Sequence, residues 1–222
     1  MVVSCLVTLE LTGITVSFNS APLEWWLSLP IIVVYPLLFG WVSYQTATKL
    51  AEHKRRLQVM STRDGMTGVY NRRHWETMLR NEFDNCRRHN RDATLLIIDI
   101  DHFKSINDTW GHDVGDEAIV ALTRQLQITL RGSDVIGRFG GDEFAVIMSG
   151  TSAESAITAM LRVHEGLNTL RLPNTPQVTL RISVGVAPLN PQMSHYREWL
   201  KSADLALYKA KKAGRNRTEV AA

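Results

Sequence analysis

The first 48 residues of this 222-residue chain contain no lysine or arginine, although the whole chain has 25 such residues. The only charged side chains in this stretch are Glu10 and Glu24, and residues 25–44 carry no charge at all. About 20 apolar residues are enough to cross the hydrocarbon core of a bilayer. The lack of charge therefore predicts a transmembrane helix at residues 25–44, with tryptophan or tyrosine near each end.

Positive charge returns directly after this predicted helix, at Lys49, Lys54, Arg55 and Arg56. The loop before the helix has none, and basic residues mark the cytoplasmic ends of membrane helices. The sequence thus predicts a protein of the bacterial inner membrane whose larger part lies in the cytoplasm. Residues 2–18 are a weaker candidate for a second span, because Glu10 lies in their middle. We expect residues 1–48 to form a membrane segment with one or two transmembrane helices.

Cysteine is also scarce, since the chain has only Cys5 and Cys86. Thiols stay reduced in the cytoplasm, so two cysteines predict no disulfide framework. The sequence has no internal repeat and no low-complexity segment. Its net charge of +3 is small and its basic residues are scattered among acidic ones, so we expect no nucleic-acid partner.

What the chain does have is a distinctive segment at residues 138–144, Arg-Phe-Gly-Gly-Asp-Glu-Phe. Residues on both sides are rich in β-forming side chains, so the Gly-Gly pair predicts a hairpin turn. Two consecutive carboxylates at a hairpin tip repel each other, and a divalent cation with phosphate oxygens would offset that repulsion. By itself, the segment is equally compatible with an ordinary acidic turn.

A second acidic pair ends the apolar run at residues 94–101, Thr-Leu-Leu-Ile-Ile-Asp-Ile-Asp. This pattern is typical of a buried strand that delivers Asp99 and Asp101 to a sheet edge. Polar residues and glycines continue the pattern at Phe103, Lys104, Asn107, Asp108, Gly111, His112, Gly115 and Asp116.

In order and spacing, these segments resemble the GGDEF family of diguanylate cyclases, whose pattern D-x-D-x-F-K-x-x-N-D-x-x-G-H-x-x-G-D precedes G-G-D/E-E-F. The likeness covers about residues 60–217. It implies an α/β catalytic domain with a central, mostly antiparallel, palm-like sheet flanked by helices, which we expect at residues 63–218. Membrane-anchored members carry more helices than this chain offers, which leaves open a fragment or a short form.

The predicted linker helix at residues 49–62 is either a spacer or a pairing surface in a dimer. Beyond it, alternating amphipathic and β-rich stretches predict a sheet covered by helices. The predicted elements are helix 72–90, strand 94–100, helix 115–130, hairpin 135–148, helix 153–170, strand 178–187 and helix 197–213.

The resemblance implies metal binding by Asp99 and Asp142, together with the backbone carbonyl of Ile100. These groups would hold two Mg²⁺ or Mn²⁺ ions in each half-site. Glu143 matches the acid that activates the ribose hydroxyl or assists the metal, and both roles stay open, because a carboxylate beside a cation is a poor base. Lys211 completes the expected catalytic set with Asp142 and Glu143.

The remaining matches concern the nucleotide. Asn107 and Asp116 are implied to read guanine, since a carboxylate accepts from guanine N–H groups that adenine lacks. Met66 and Ile119 fall at the apolar positions of the base pocket, where methionine replaces the usual leucine. The other expected substrate-binding residues are His102, Phe103, Lys104, His112 and Arg215. The four-residue spacing of Lys211 and Arg215 predicts one helix face, although such a pair also suits a helix C-terminus.

An inhibitory site is implied by register alone. Arg131 and Asp134 occupy the positions of the family's R-x-x-D motif, at which the product binds and arrests the enzyme. Arginine suits a two-pronged grip on guanine and phosphate. Arg87 or Arg88 would supply a second arginine.

Because the product is two-fold symmetric, the family works as a homodimer with facing half-sites. We therefore predict an active enzyme that takes GTP as substrate and is inhibited by its product, cyclic di-GMP. Two alternatives remain: a non-catalytic receptor for cyclic di-GMP or GTP, and a cyclase with another product, which Asp116 disfavours.

Overall fold

The computed structural model describes residues 34–50, 62–172, 175 and 177–221. The chain divides into two units, Met1–Met60 and Ser61–Ala222, which are described separately. In the first unit, residues 34–50 are helical.

The predicted membrane location is corrected by the structure. No helix in the described part of the chain is both long and apolar enough to cross a bilayer, so the prediction of an inner-membrane location is wrong. Three parts of the predicted membrane segment and linker lie outside the described residues: 2–18, 25–33 and 51–61.

The described residues of the second unit form six strands and five helices. In chain order they are β1 (Tyr70–Asn71), α1 (Arg72–His89), β2 (Ala93–Ile100), α2 (Phe103–Trp110), α3 (His112–Thr129), β3 (Val135–Gly140), β4 (Glu143–Ser149), α4 (Ala153–Thr169), β5 (Ile182–Pro188), α5 (Tyr196–Lys212) and β6 (Thr218–Val220).

The strands form one mixed sheet in the order β1-β3-β4-β2-β5-β6. The pairings of β3 with β4, β4 with β2 and β2 with β5 are antiparallel. The outer strands β1 and β6 pair in parallel with β3 and β5. The predicted helix-flanked sheet is therefore confirmed as a mixed, six-stranded sheet, antiparallel at its centre.

Strand β2 lies at the centre, and all eight of its residues are buried. Burial on both sides requires helices on both faces of the sheet. On one face the core includes Leu122 of α3 and Val163 of α4. On the other face, Trp75 of α1 and Trp199 of α5 fill the core. The result is a three-layer arrangement in which side chains of β2 alternate between the two cores.

Helix α5 packs directly on strand β5 because residue 185 is a glycine. A Cβ atom at Gly185 would lie 2.1 Å from the Ala203 carbonyl oxygen and 2.2 Å from the Leu207 nitrogen. Trp199 also donates its indole N–H to the Ala187 carbonyl at 2.8 Å. This close packing fixes the position of the last turn of α5, which carries a predicted site residue.

The structure differs from the predicted elements in three places. Helix α2 was not predicted, because its eight residues are mostly polar. The short outer strands β1 and β6 were also missed. Strand β5 begins at Ile182 rather than at residue 178, because its partner β2 ends at Ile100, which pairs with Ile182.

Candidate active site

Two acidic residues lie opposite each other at the ends of the adjacent central strands β2 and β4. Asp99 of β2 lies directly opposite Glu143, the first residue of β4. Ile97 and Ala145, two residues away on each strand, belong to the core beneath α1 and α5. Since side chains alternate along a strand, Asp99 and Glu143 lie on that same face. Opposed residues have Cβ atoms about 5 Å apart, so the register brings two carboxylates into one site.

The turn between β3 and β4 adds a third acid. Gly140 and Gly141 have φ values of 144° and 52°, in a region that favours glycine. The Ile100 N–H donates to the Asp142 carbonyl at 3.4 Å, which ties the turn to the end of β2. The backbone of Asp142 therefore lies next to the end of β2, near enough for its charge to act on Asp99.

Arg138 holds this turn to a second loop. Its Nε and Nη2 atoms donate to the Gly141 carbonyl at 3.0 and 2.8 Å, and its Nη1 donates to Asp64 Oδ1 at 3.1 Å. Burial acts to raise the pKa of Asp64, but hydrogen bonds from Thr67 and Arg138 outweigh it and lower that pKa below its usual value. The loop that contains Met66 is thereby fixed against the hairpin. Sequence reasoning assigned no role to Arg138 or Asp64, although both belong to segments quoted for the resemblance.

Lys211 provides the positive charge of the site. Its Nζ lies 2.7 Å from Asp99 Oδ2, and the lysine and aspartate side chains are 33% and 11% exposed. Burial raises the pKa of Asp99, and the charges of Asp142 and Glu143 add to this effect, whereas Lys211 acts against it. Negative charge is thus concentrated at the sheet edge, and a cation already balances part of it.

This donor set fits a hard divalent cation. Carboxylate and carbonyl oxygens are the ligands that Mg²⁺ prefers, usually completed by water and substrate phosphates. Within the described ranges, no three Asp, Glu, His or Cys side chains converge as a ready metal site. The expected set has only two such side chains, Asp99 and Asp142, with the Ile100 carbonyl, so phosphate oxygens would have to supply further ligands.

The predicted guanine-reading residues meet where α2 and α3 join. The Asn107 Oδ1 atom is buried and has no hydrogen-bond partner among the residues that the structure describes. A Cβ atom at Gly115 would lie 1.9 Å from that oxygen, so the glycine makes room for the Asn107 amide. Asp116 follows directly and is exposed. An orphaned buried acceptor beside an exposed carboxylate suits a ligand with several N–H donors.

The other residues predicted to bind the nucleotide differ in their exposure and in their surroundings. His102 begins the turn into α2 with a φ of 58°. Phe103 packs partly against the core, while Lys104 and His112 are exposed. Met66 is 42% exposed and its sulfur accepts from Arg138 at 3.4 Å. Ile119, in contrast, is only 2% exposed and belongs to the core, so it offers little open surface to a ligand.

Arg215 is not on the same helix face as Lys211, which corrects the inference from their spacing. Helix α5 ends at Lys212, and Arg215 lies beyond it with a φ of 63°. Its N–H donates to the Ala210 carbonyl at 3.0 Å, and its side chain is exposed. The loop geometry, rather than helical periodicity, decides where this guanidinium points.

The predicted inhibitory residues form a closed turn. The Arg131 N–H donates to Asp134 Oδ2 at 2.9 Å, and the other oxygen of Asp134 is buried without a partner. Burial raises the pKa of Asp134. Arg87 and Arg88 line a cavity with Asp84, and Arg131 does not line that cavity.

The sequence predicted Asp101 at the end of β2 but assigned it no role. Asp101 follows β2 directly, is only 5% exposed, and binds the loop after α5. The two acids at the end of the apolar run were a signal for it, but its partner lies 115 residues away along the chain.

Comparisons with known proteins agree with the family resemblance found in the sequence. Residues 61–217 match the sequence profile of the family described as diguanylate cyclase, GGDEF domain. All 222 residues are 99% identical to a probable diguanylate cyclase, DgcC, of Escherichia coli K12, and the chain spans 60% of that relative's length. Over 159 residues it is 35% identical to the diguanylate cyclase DosC of the same organism, covering 71% of this chain and 34% of DosC.

The fold is also similar to that of a solved structure. The GGDEF domain of DgcB from Caulobacter crescentus, in complex with c-di-GMP, superposes with a TM-score of 0.69 at 30% sequence identity. The match covers 72% of this chain and 96% of that domain. The similarity therefore extends over nearly all of the solved domain.

Proposed function

The chain belongs to the GGDEF domain family of diguanylate cyclases, and we propose that it condenses two molecules of GTP into cyclic di-GMP and two pyrophosphates. The observation that carries the proposal is the register of Asp99 with Glu143, beside Lys211 at 2.7 Å from Asp99. Acids and a cation at the ends of central strands suit a bound triphosphate and the charge that develops on it.

In this reaction the 3′-hydroxyl of each GTP attacks the α-phosphate of the other. A bond forms between the ribose oxygen and the α-phosphorus, and the bond from that phosphorus to the β-phosphate oxygen breaks. Pyrophosphate leaves with the electron pair, and the hydroxyl proton needs an acceptor. We propose that Glu143 accepts this proton, because Glu143 is exposed, whereas Asp99 forms an ion pair with Lys211.

The other residues bind and orient the nucleotide. Asp99, Asp142 and the Ile100 carbonyl would hold the divalent cations, which neutralise charge on the triphosphate when they are bound. Lys211 and Arg215 would bind phosphate oxygens as charge-assisted donors. Met66 and Ile119 would enclose the base, and the exposed Lys104 and His112 would lie at the phosphates and ribose.

Guanine is the base that Asn107 and Asp116 suit. The buried Oδ1 of Asn107 has no partner within the fold, and Asp116 can accept from two N–H groups at once. Adenine offers no N–H at its N1 position, so it would leave these acceptors unsatisfied, which is costly in a desolvated site.

We extend the proposal to the assembly and its control. A two-fold symmetric product calls for two copies of the domain, proposed here as residues 63–218, with one GTP each. Cyclic di-GMP is proposed to bind at Arg131 and Asp134 and to inhibit the enzyme. The partnerless buried oxygen of Asp134 supports a ligand at this turn.

The test is pyrophosphate release from GTP by the purified chain in the presence of Mg²⁺. Turnover should fall about 100-fold in Glu143→Gln, the size of effect expected for a general base. Glu165→Gln, a change at an exposed acid on α4, is the matched control and should retain full activity. Removal of Mg²⁺ with a chelator should stop turnover, and its return should restore it.

Two further readouts separate this function from its alternative. Activity per chain should rise with chain concentration, because two copies are needed. Tight binding of cyclic di-GMP or GTP without any pyrophosphate release would instead indicate a receptor.

A further inference from the structure

The loop after α5 contains two consecutive residues in the left-handed backbone region. Arg215 has a φ of 63° and Asn216 a φ of 46°. Asparagine tolerates this conformation, but arginine rarely adopts it. Such a backbone persists where surrounding contacts impose it, and it is often associated with functional sites. The contacts that hold this loop therefore decide where Arg215 lies.

Asp101 provides one of these contacts from beneath the loop. Its Oδ2 accepts the backbone N–H of Asn216 at 2.8 Å, and its Oδ1 accepts the hydroxyl of Ser183 at 2.6 Å. Ser183 is fully buried on β5, and Asp101 is 5% exposed. Hydrogen bonds to a carboxylate are stronger than those between neutral groups. One carboxylate thus joins the end of β2, strand β5 and the loop.

The rest of the loop is held by backbone bonds on either side of this point. The Arg215 N–H donates to the Ala210 carbonyl at 3.0 Å, and the Val184 N–H donates to the Arg217 carbonyl at 2.9 Å. These two bonds fix the entry and the exit of the loop. The bond from Asn216 to Asp101 fixes the residue between them, next to Arg215.

We propose that Asp101 is a positioning residue: by holding the Asn216 amide, it sets where the Arg215 guanidinium meets the triphosphate. This inference rests on the proposed function, in which Arg215 binds phosphate. Asp101 does not itself touch the nucleotide, since each of its oxygens accepts a hydrogen bond from within the fold. Asp101 lies two residues after Asp99. It therefore connects the loop that carries Arg215 to the end of β2, where the carboxylates of the site lie.

The first test is Asp101→Asn in the full chain. Asparagine has the same shape but is neutral, so the Asn216 N–H loses its charged acceptor: it meets either the amide oxygen, which is a weaker acceptor, or the NH₂ group, which cannot accept. The dissociation constant of Mg²⁺-GTP, measured by titration calorimetry, should rise about tenfold, the loss expected for one hydrogen bond to a charged group. KM for GTP should rise similarly, while kcat changes less than about threefold, since the effect is on binding.

Coupling to Arg215 separates positioning from general stability. If Asp101 acts through Arg215, then Asp101→Asn should weaken GTP binding less than about twofold in an Arg215→Ala background. A residue that only stabilises the fold would produce the same tenfold loss in both backgrounds. Asp92→Asn is the matched control: it makes the same change at an exposed aspartate just before the opposite end of β2, so it should bind GTP like the parent chain.

Two results would overturn the inference: unchanged GTP affinity in Asp101→Asn, or its full effect in the Arg215→Ala background. If Asp101→Asn does not fold, Ser183→Ala takes its place. This change removes one hydrogen bond to the Asp101 carboxylate, and GTP binding is again compared with and without Arg215→Ala. The readout is GTP binding, which is independent of product formation. Coupling without any cyclic di-GMP would therefore refute the proposed function and leave the positioning role standing.

Discussion

Lys211 Nζ lies 2.7 Å from Asp99 Oδ2, so a lysine expected to bind phosphate contacts a carboxylate expected to bind metal. The lysine balances part of the negative charge that Asp99, Asp142 and Glu143 concentrate at the sheet edge. We therefore expect Lys211 to matter both for the stability of the nucleotide-free fold and for substrate binding.

We expect Lys211→Met to lower both the stability of the nucleotide-free fold and the binding of GTP. The partly buried Asp99 would lose its partner, which should lower the free energy of unfolding by about 1 kcal/mol. Loss of a phosphate contact should reduce kcat/KM for GTP by at least about tenfold. Lys209→Met, at an exposed position two residues earlier in α5, should change neither quantity. Denaturant unfolding and pyrophosphate release measure the two effects, and equal behaviour of the two variants would contradict this role.

The ion pair of Asp64 with Arg138 predicts a pH-dependent contribution to stability. The pKa of Asp64 is lowered from its usual 3.8, so the folded state favours the ionised form. Its contribution is therefore fully present above about pH 4 and is lost as the pH falls through the folded value. Asp64→Asn should be less stable than the parent chain at neutral pH, and the difference should shrink in acid. A difference that grows in acid would refute the assignment.

Base selection by Asp116 can be tested with inosine triphosphate, which lacks the 2-amino group of guanine. The parent chain should prefer GTP, because the Asp116 carboxylate accepts from that amino group. Asp116→Ala should reduce the ratio of kcat/KM for GTP over inosine triphosphate by about tenfold or more. Asp113→Ala, one turn earlier on α3 and also exposed, should keep the ratio. An unchanged ratio in Asp116→Ala would exclude this residue as the reader of guanine.

Gly185→Ala should disturb the packing of α5 on β5. The new Cβ would lie 2.1 Å from the Ala203 carbonyl oxygen, and backbone atoms cannot move aside as a flexible side chain can. We expect a loss of about 1–3 kcal/mol in the free energy of unfolding. Activity should fall as well, because α5 carries Lys211. Gly132→Ala is the control, since a Cβ there meets nothing within 4 Å. Thermal unfolding of the two variants measures the loss of stability. A Gly185→Ala variant as stable as the parent chain would show that α5 can shift away from β5 at no cost.

The central strand and the acidic hairpin were predictable because their signals are local. An apolar run that ends in acids gave β2, and two glycines between β-rich runs gave the turn that carries Asp142. Helix α2 was missed because it is short and polar, and the start of β5 was misplaced because only the end of β2 at Ile100 defines it.

Contacts that join distant segments could not be predicted in the same way. Asp101 and Asn216 are 115 residues apart, and Arg138 and Asp64 are 74 apart. No periodicity links such pairs. The placement of Arg215 failed for a related reason, since its four-residue spacing from Lys211 says nothing about where the helix ends. The membrane location was inferred from an uncharged apolar run and the basic residues that follow it, and the described helices do not support it.

The central claim is that two GTP molecules are joined into one product at this site. In the most direct test, the chain is incubated with Mg²⁺ and an equal mixture of unlabelled and fully ¹³C-labelled GTP. The mass of the nucleotide product is then measured by mass spectrometry. The predicted result is cyclic di-GMP in light, mixed and heavy forms, with the mixed form most abundant, and about 100-fold less of all three forms from Glu143→Gln. Product of light and heavy mass only, or GTP left unchanged at every chain concentration, would contradict the account.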